Sequence, residues 1–414
     1  MPSLAPQSSE PEDWRTGSAA VLEQALRDSR QHTLLSFDAV ETALAAEGLR
    51  VPQRADLNLP LWELGHIGWF QRWWIGRFTQ RRLGCEADPH SPRAPASALG
   101  RDEWFDSSTV PHGSRWSLPL PAAHLQRLEL TAGLEETLLA LTSASENTDE
   151  SESEAGLYFF RLALAHEDMH HEASLYMAQQ LGLPRADPNW VSTALPAARL
   201  QIELPSAGFV QGQAPTGFAF DNELQAHVVD QPGYRIDSRV LNWADFLEFV
   251  EAGAYDQPQW WSDQACAWIA LQQPQAPRYL RRAGSTWQQQ RWGRWQMLDL
   301  SGPAMHLNAF EAEAWCRWAG RRLPSEAEWE RAALQAGPLF SWGQVWEWTA
   351  DAFQPYPGFK PHPYSDYSAP WFGSRRVLRG ASWCTQPRLH HARYRNFYTP
   401  ERNDIFAGFR TCAP

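Results

Sequence analysis

The sequence predicts an α+β chain in two parts, a helical first half and a second half of short strands, turns and brief helices. Apolar residues before about residue 200 recur at helical spacing over long stretches. Beyond that point the pattern breaks into short strand-like pieces and carries most of the 23 tryptophans. A length of 414 residues suits two or three domains at roughly 150 residues each. We divide the chain into 1–195 and 196–414.

The first predicted helix runs from about Ser18 to Glu47, with Val21, Leu22, Leu26, Leu34, Leu35 and Phe37 on its apolar face and Gly48 ending it. The second starts after Asn58, with Pro60 in its first turn, and runs into Arg81. A loop rich in Pro and Gly follows from Gly84 to about Pro121. The third helix spans about Ala122 to Thr142. The acidic, serine-rich stretch Ser143 to Glu154 leads into the fourth, which has no Pro or Gly between Arg161 and Gln180. Four helices with a long crossover describe a four-helix bundle, where metal sites are built from facing helices. In the second half, helical patterns cover Trp243 to Ala252, Ala309 to Ala319 and Ser325 to Ala333.

Composition narrows the function classes. A net charge of -12 lacks the basic footprint of a nucleic-acid binder. Five cysteines without a CxxC pair predict neither a disulfide framework nor a structural zinc site. The N-terminal residues read as no signal peptide, and no apolar run approaches the ~20 residues of a membrane span. These features predict a soluble cytoplasmic protein.

The fourth helix carries the chemistry. His166 and His170 stand four residues apart, on one helix face, and can grip one metal ion. The run also reads His-Glu-x-x-His, the zinc-peptidase signature in which Glu167 would be the general base. That reading needs a third ligand downstream, and neither Asp187 nor Glu203 lies in a ligand motif. A structural role for the histidines stays open, as does a binding module with a vestigial metal site. His66, among Trp62, Ile67, Trp69 and Phe70, reads by itself first as a hydrogen-bonded core histidine and only second as a ligand.

Several stretches of the second half resemble the formylglycine-generating-enzyme (sulfatase-modifying) family. They are Gly208-Phe209-Val210-Gln211-Gly212, Phe220-Asp221-Asn222-Glu223, the run from Ala314 through Arg321-Arg322-Leu323-Pro324-Ser325 to Glu330, Gly343 to Thr349, Arg376 to Trp383, and Gly408-Phe409-Arg410. The resemblance implies a fold similar to C-type lectins. That family binds copper through a close cysteine pair; here Cys384 has no partner before Cys412, which disfavours protein formylglycine formation. Leu61 to Phe70 and His166-x-x-x-His170-x-Glu172 are similar to the metal-binding segments of DinB-like bundles. Fused to such a second domain, they resemble the non-haem iron sulfoxide synthases of ergothioneine biosynthesis. The resemblance covers nearly the whole chain.

By that resemblance His66, His166 and His170 hold Fe(II), and O₂ is the co-substrate. The imidazole C2 of hercynine is joined to a chalcogen from a small-molecule donor. Three protein ligands leave positions open for substrate and O₂, and imidazole suits iron. Arg395-Asn396-Phe397-Tyr398 matches the segment that holds hercynine, with Asn396 as donor and acceptor and Phe397 as an aromatic face for a trimethylammonium. Tyr364, Tyr367 and Tyr398 are candidates for the tyrosine that directs the oxygen chemistry; Glu347 and Trp348 are read as structural. Three departures concern the donor. Tyr398 replaces the Asp that engages γ-glutamylcysteine, Met169 occupies the spacer where a Gln contacts hercynine, and no Tyr-Tyr pair appears near Phe105 to Ser108. The Glu-Asp-Met spacer looks like the selenoneine synthases, whose donor is a selenosugar. A thiol-using, ergothioneine-type enzyme is the alternative.

Overall fold

A computed structural model of the chain describes residues 13–145, 150–185, 192 and 194–414. Residues 146–149 of the predicted acidic stretch, and Asp187 in the connection between the halves, lie outside the described residues. Among the described residues no helix is long and apolar enough to cross a membrane.

The first half is helical. Helix α1 (Ala19–Ala43) buries Leu22, Leu26, Arg30, Thr33, Phe37 and Val40, at steps of three and four that make one face. Helix α2 (Pro60–Gln71) opens on its proline. The predicted continuation to Arg81 does not hold as an α-helix. Arg72–Gly76 widens into a π turn, closed by the Arg77 N–H donating to the Arg72 carbonyl, and it buries the adjacent pair Trp74 and Ile75. The long loop contains the single-turn helix α3 (Asp102–Phe105). Helices α4 (Ala123–Ser145) and α5 (Glu150–Leu181) complete the helical part, and α5 packs against α1, α2 and α4.

The second half mixes helices and small sheets. Strands β1 (Gln201–Leu204) and β4 (Tyr234–Asp237) pair antiparallel, as do β2 (Ala207–Gln211) and β3 (His227–Gln231). A meander is formed by β5 (Leu280–Ala283), β6 (Thr286–Arg291) and β7 (Arg294–Met297). The central sheet runs in the order β10 (Asn396–Tyr398), β9 (Arg376–Gly380), β8 (Trp346–Ala352), β11 (Ala407–Gly408). Helices α6 (Trp243–Glu251), α8 (Ala309–Trp318) and α9 (Glu326–Gln335) each start in a reciprocal cap, Asn242 with Asp245, Asn308 with Glu311 and Ser325 with Glu328. Helix α7 (Asp263–Gln272) escaped the sequence reading because Ala265 is its only buried residue, so it carries no apolar stripe to detect. The result is a mixed α+β chain.

One apolar core runs through both halves. Trp62, Phe70 and Phe159 of the helices join Phe218, Phe220 and Trp346 in a single cluster. Beneath the central sheet, Glu347 of β8 is fully buried between Arg410, at 2.8 Å, and the indole N–H of Trp329, at 2.9 Å. Glu347 therefore serves the core, and a buried carboxylate is tolerated there because both its oxygens are bonded.

Candidate metal centre

Helix α2 brings His66, and α5 brings His166 and His170, to one point. One ligand-capable atom from each lies within 4.8 Å of the others. The ring centroids are 4.4 to 5.0 Å apart. His66 and His166 are buried; His170 keeps a 20% exposed side chain. Among the described residues this is the one such cluster of His, Cys, Asp or Glu.

Hydrogen bonds orient two of the rings. His66 Nδ1 lies 2.7 Å from the Phe105 carbonyl and His170 Nδ1 lies 2.6 Å from Glu63 Oε2. A carbonyl and a carboxylate only accept, so both Nδ1 atoms carry a proton and Nε2 is the nitrogen left for a metal. Trp62 stacks on His66 at 4.7 Å, and Phe70 lies flat against His166 with centroids 3.6 Å apart. Burial, with His170 adding, holds the His66 imidazole at about 3, and burial holds His166 well below its ordinary value. Burial thus favours the neutral, metal-binding form of His66 and His166, and a set of three imidazoles fits Fe(II) or another borderline divalent ion.

The remaining residues of the α5 run face elsewhere. Glu167, the base of the peptidase reading, is buried in an ion pair with Arg30 of α1 at 2.8 Å. Asp168 pairs with Arg388 at 2.9 Å and accepts from Ser29 at 2.7 Å. His171 is buried and bonds Gln386 at 3.1 Å. Glu172 accepts from Trp346, Ser382 and Thr385, all in the second half.

Met169 connects the centre to the second half. Its sulfur accepts from Tyr394 Oη at 3.2 Å and from Tyr367 Oη at 3.7 Å, and the two hydroxyls lie 3.2 Å apart. Tyr364 meets Phe70 edge-on at 5.0 Å and stands 6.4 Å from His166, centroid to centroid. Phe397 stacks on Phe353 at 4.1 Å and presents itself edge-on to Tyr367 at 5.8 Å. Asn396 accepts from the Phe397 N–H through its own Oδ1. Tyr398, its hydroxyl raised to about 12 by burial, lies beside Tyr176, with Arg402 4.9 Å over its ring. Arg395 is not brought to the centre: it is fully buried, with its guanidinium occupied by Glu326 and the carbonyls of Asn222 and Gln354.

The sequence reading passed over Tyr394, Glu63 and Phe105. Glu63 had a signal, since it precedes His66 by one helical turn and so shares its face. Tyr394 and Phe105 had none, because both arrive from distant loops.

Residues 196–344 and 341–413 match the sulfatase-modifying factor enzyme 1-like domain family. Over 94% of each chain, the protein is 31% identical to the hercynine oxygenase of Mycolicibacterium thermoresistibile. It is 30% identical to the Mycobacterium tuberculosis hercynine oxygenase over 92% of this chain and 95% of that one. The formylglycine-generating enzyme of Streptomyces coelicolor is 28% identical over 52% of this chain and 90% of its own. The chain belongs to the hercynine oxygenase family, and its second half is a sulfatase-modifying-type domain.

Proposed function

We propose that this chain is a non-haem Fe(II)- and O₂-dependent enzyme that forms a carbon–chalcogen bond at the imidazole C2 of hercynine, with a selenosugar as donor. The observation that carries the reading is the trio of oriented imidazoles of His66, His166 and His170 beside Met169, Tyr364, Tyr367 and Tyr394. It lies in a chain related end to end to hercynine oxygenases. The first half, 1–195, is the metal-binding bundle of DinB type, and 196–414 supplies the substrate side with a fold of the C-type-lectin kind. Held by the three histidines, Fe(II) supplies the one-electron chemistry that O₂ requires and a Lewis acid for the donor. The reaction balances as hercynine C2–H plus the selenol plus O₂ giving the C–Se selenoxide and water, one oxygen atom going to each.

The chain's own residues orient and exclude. Phe397 and Tyr367 offer aromatic faces to the trimethylammonium, and Asn396 offers polar groups to hercynine. Tyr364, half-buried and with its hydroxyl shifted upward by desolvation, stays a neutral phenol able to donate a proton near the centre. Met169 holds the hydroxyls of Tyr367 and Tyr394. The selenium donor rests on Tyr398, which offers no carboxylate to a γ-glutamylcysteine ammonium. A sugar lacks that ammonium.

The test is anaerobic Fe(II) loading, then hercynine with either a selenosugar or γ-glutamylcysteine under O₂, read by mass spectrometry. A selenium-bearing product supports the reading. A sulfoxide made only from the thiol moves the chain to ergothioneine-type synthesis, and peptide cleavage lost in Glu167→Gln would revive the peptidase reading. Metal analysis accompanies the assay, and His166→Ala is expected to lose both iron and product.

A further inference from the structure

We propose that Glu63 and Arg115 are positioning residues of the metal centre, through which the long loop between α2 and α4 fixes the tautomer and orientation of His170. The inference rests on the three-histidine reading above and adds a chain of hydrogen bonds behind it.

The chain has a single allowed polarity. Arg115 Nη1 donates to Asn58 Oδ1 at 2.8 Å, Asn58 Nδ2 donates to Glu63 Oε1 at 2.6 Å, and Glu63 Oε2 faces His170 Nδ1 at 2.6 Å. A guanidinium can only donate, so the amide of Asn58 is held with its oxygen toward Arg115 and its NH₂ toward Glu63. A carboxylate can only accept, so His170 Nδ1 must carry the proton. Nε2 is thereby left as the lone-pair atom, and a bonded carboxylate raises its basicity. Glu63 uses each oxygen for a different partner, so it cannot turn without breaking one bond.

The same arginine braces the second ring. The Arg115 guanidinium lies 3.6 Å over the Trp62 ring, and Trp62 in turn stacks on His66. The Trp62 indole N–H donates to the Trp104 carbonyl, next to the Phe105 carbonyl that bonds His66. One loop therefore reaches a ligand on each helix. Arg115 and Glu63 also balance each other's charge at two buried positions.

Anaerobic titration with Co(II) alone, read by its visible absorption, tests this on the full chain. Wild type, Glu63→Gln, Arg115→Met and the double variant are compared, with circular dichroism to confirm folding. Glu63→Gln places an NH₂ opposite either Asn58 or His170 and is expected to weaken cobalt binding between tenfold and 100-fold, with a changed spectrum. Arg115→Met keeps an apolar stem on Trp62, removes the donor, and is expected to cost roughly tenfold. Because Met preserves the packing on Trp62, the two changes meet only in the Asn58–Glu63 hydrogen-bond chain, and the double variant should be no weaker than Glu63→Gln alone. Wild-type affinity in Glu63→Gln, or losses that multiply in the double variant, would overturn the proposal. Should Glu63→Gln fail to fold, Arg115→Met with wild-type affinity and spectrum overturns it equally. Absence of cobalt binding by the wild type would strike the metal-centre reading itself.

Discussion

The indole N–H of Trp346 donates to Glu172 Oε1 at 2.8 Å, joining the central sheet to the helix that carries two of the three histidines. The same carboxylate takes the hydroxyls of Ser382 at 2.6 Å and Thr385 at 2.7 Å. Glu172 lies two residues beyond His170, so its carboxylate is one of several ties, with Asp168–Arg388, His171–Gln386 and Met169–Tyr394, that seat the second half on the helix of the centre. Burial pushes the Glu172 carboxyl up, against the pull of those three bonds.

Replacing Glu172 by alanine removes the acceptor of three buried donors, of which Ser382 and Thr385 keep only the contact between their own hydroxyls. An unsatisfied buried group costs about 1–3 kcal/mol, and partial relaxation brings the expected total to about 4 kcal/mol. For a chain of this size that lowers Tm by roughly 5 °C. Glu172→Gln keeps one acceptor and should fall between the two. An unchanged melting temperature in Glu172→Ala would show that this clasp does not hold the halves together.

The tyrosines should separate by position. The Tyr364 ring stands 6.4 Å from His166, and Tyr398 lies against Tyr176 and Arg402. Tyr364→Phe is expected to lower carbon–chalcogen product by roughly 100-fold, the usual cost of a lost proton donor, while simple donor oxidation persists. Tyr398→Phe should leave the ratio of the two products unchanged. Mass spectrometry of both products decides, and a reversed order would transfer the role to Tyr398.

Gly65 is expected to tolerate no side chain. A Cβ there would fall 2.2 Å from Phe105 Cε1. Phe105 must then retreat, and its carbonyl, which bonds His66 Nδ1, retreats with it. Gly65→Ala should lower both Tm and metal affinity, the latter by about tenfold as for other lost supports of a ligand. A variant with normal metal affinity would mean that the ring finds its orientation without that carbonyl.

Glu311 predicts a pH dependence away from the centre. Burial raises its carboxyl to about 7, although it accepts from Tyr255 Oη at 2.6 Å and caps α8. A folded pKa above the unfolded one favours the protonated form in the fold. The contribution is fully present below about 4.5 and is lost as pH rises through about 7. At about 1.4 kcal/mol per unit the whole change is about 3 kcal/mol. Glu311→Gln keeps the cap and removes the titration, so it should gain stability relative to wild type between pH 5 and pH 8. Denaturant melts at the two values measure it; parallel behaviour of the two proteins would rule this out.

Residues 166 to 172 show what the sequence by itself determined. Helical spacing alone puts His166 and His170 on one face, since local periodicity is a property of the backbone. Caps at Asn308 and Ser325 fix where α8 and α9 begin for the same local reason. His66, Asn396 and Phe397 became candidates only through resemblance, because nothing in their own neighbourhoods separates a ligand or substrate residue from a core residue.

What only the tertiary structure decided concerns partners that are far apart in the chain. Arg395 beside Glu326, Glu167 beside Arg30, Tyr394 on Met169, and the Phe105 carbonyl on His66 are all such pairs. A side chain's chemistry is set by what its donor or acceptor meets, and at these separations periodicity carries no information. The sequence therefore determined that two imidazoles share a helix face. Packing decided that a third imidazole joins them, which nitrogen each oriented ring turns inward, and which neighbouring carboxylates serve the fold instead.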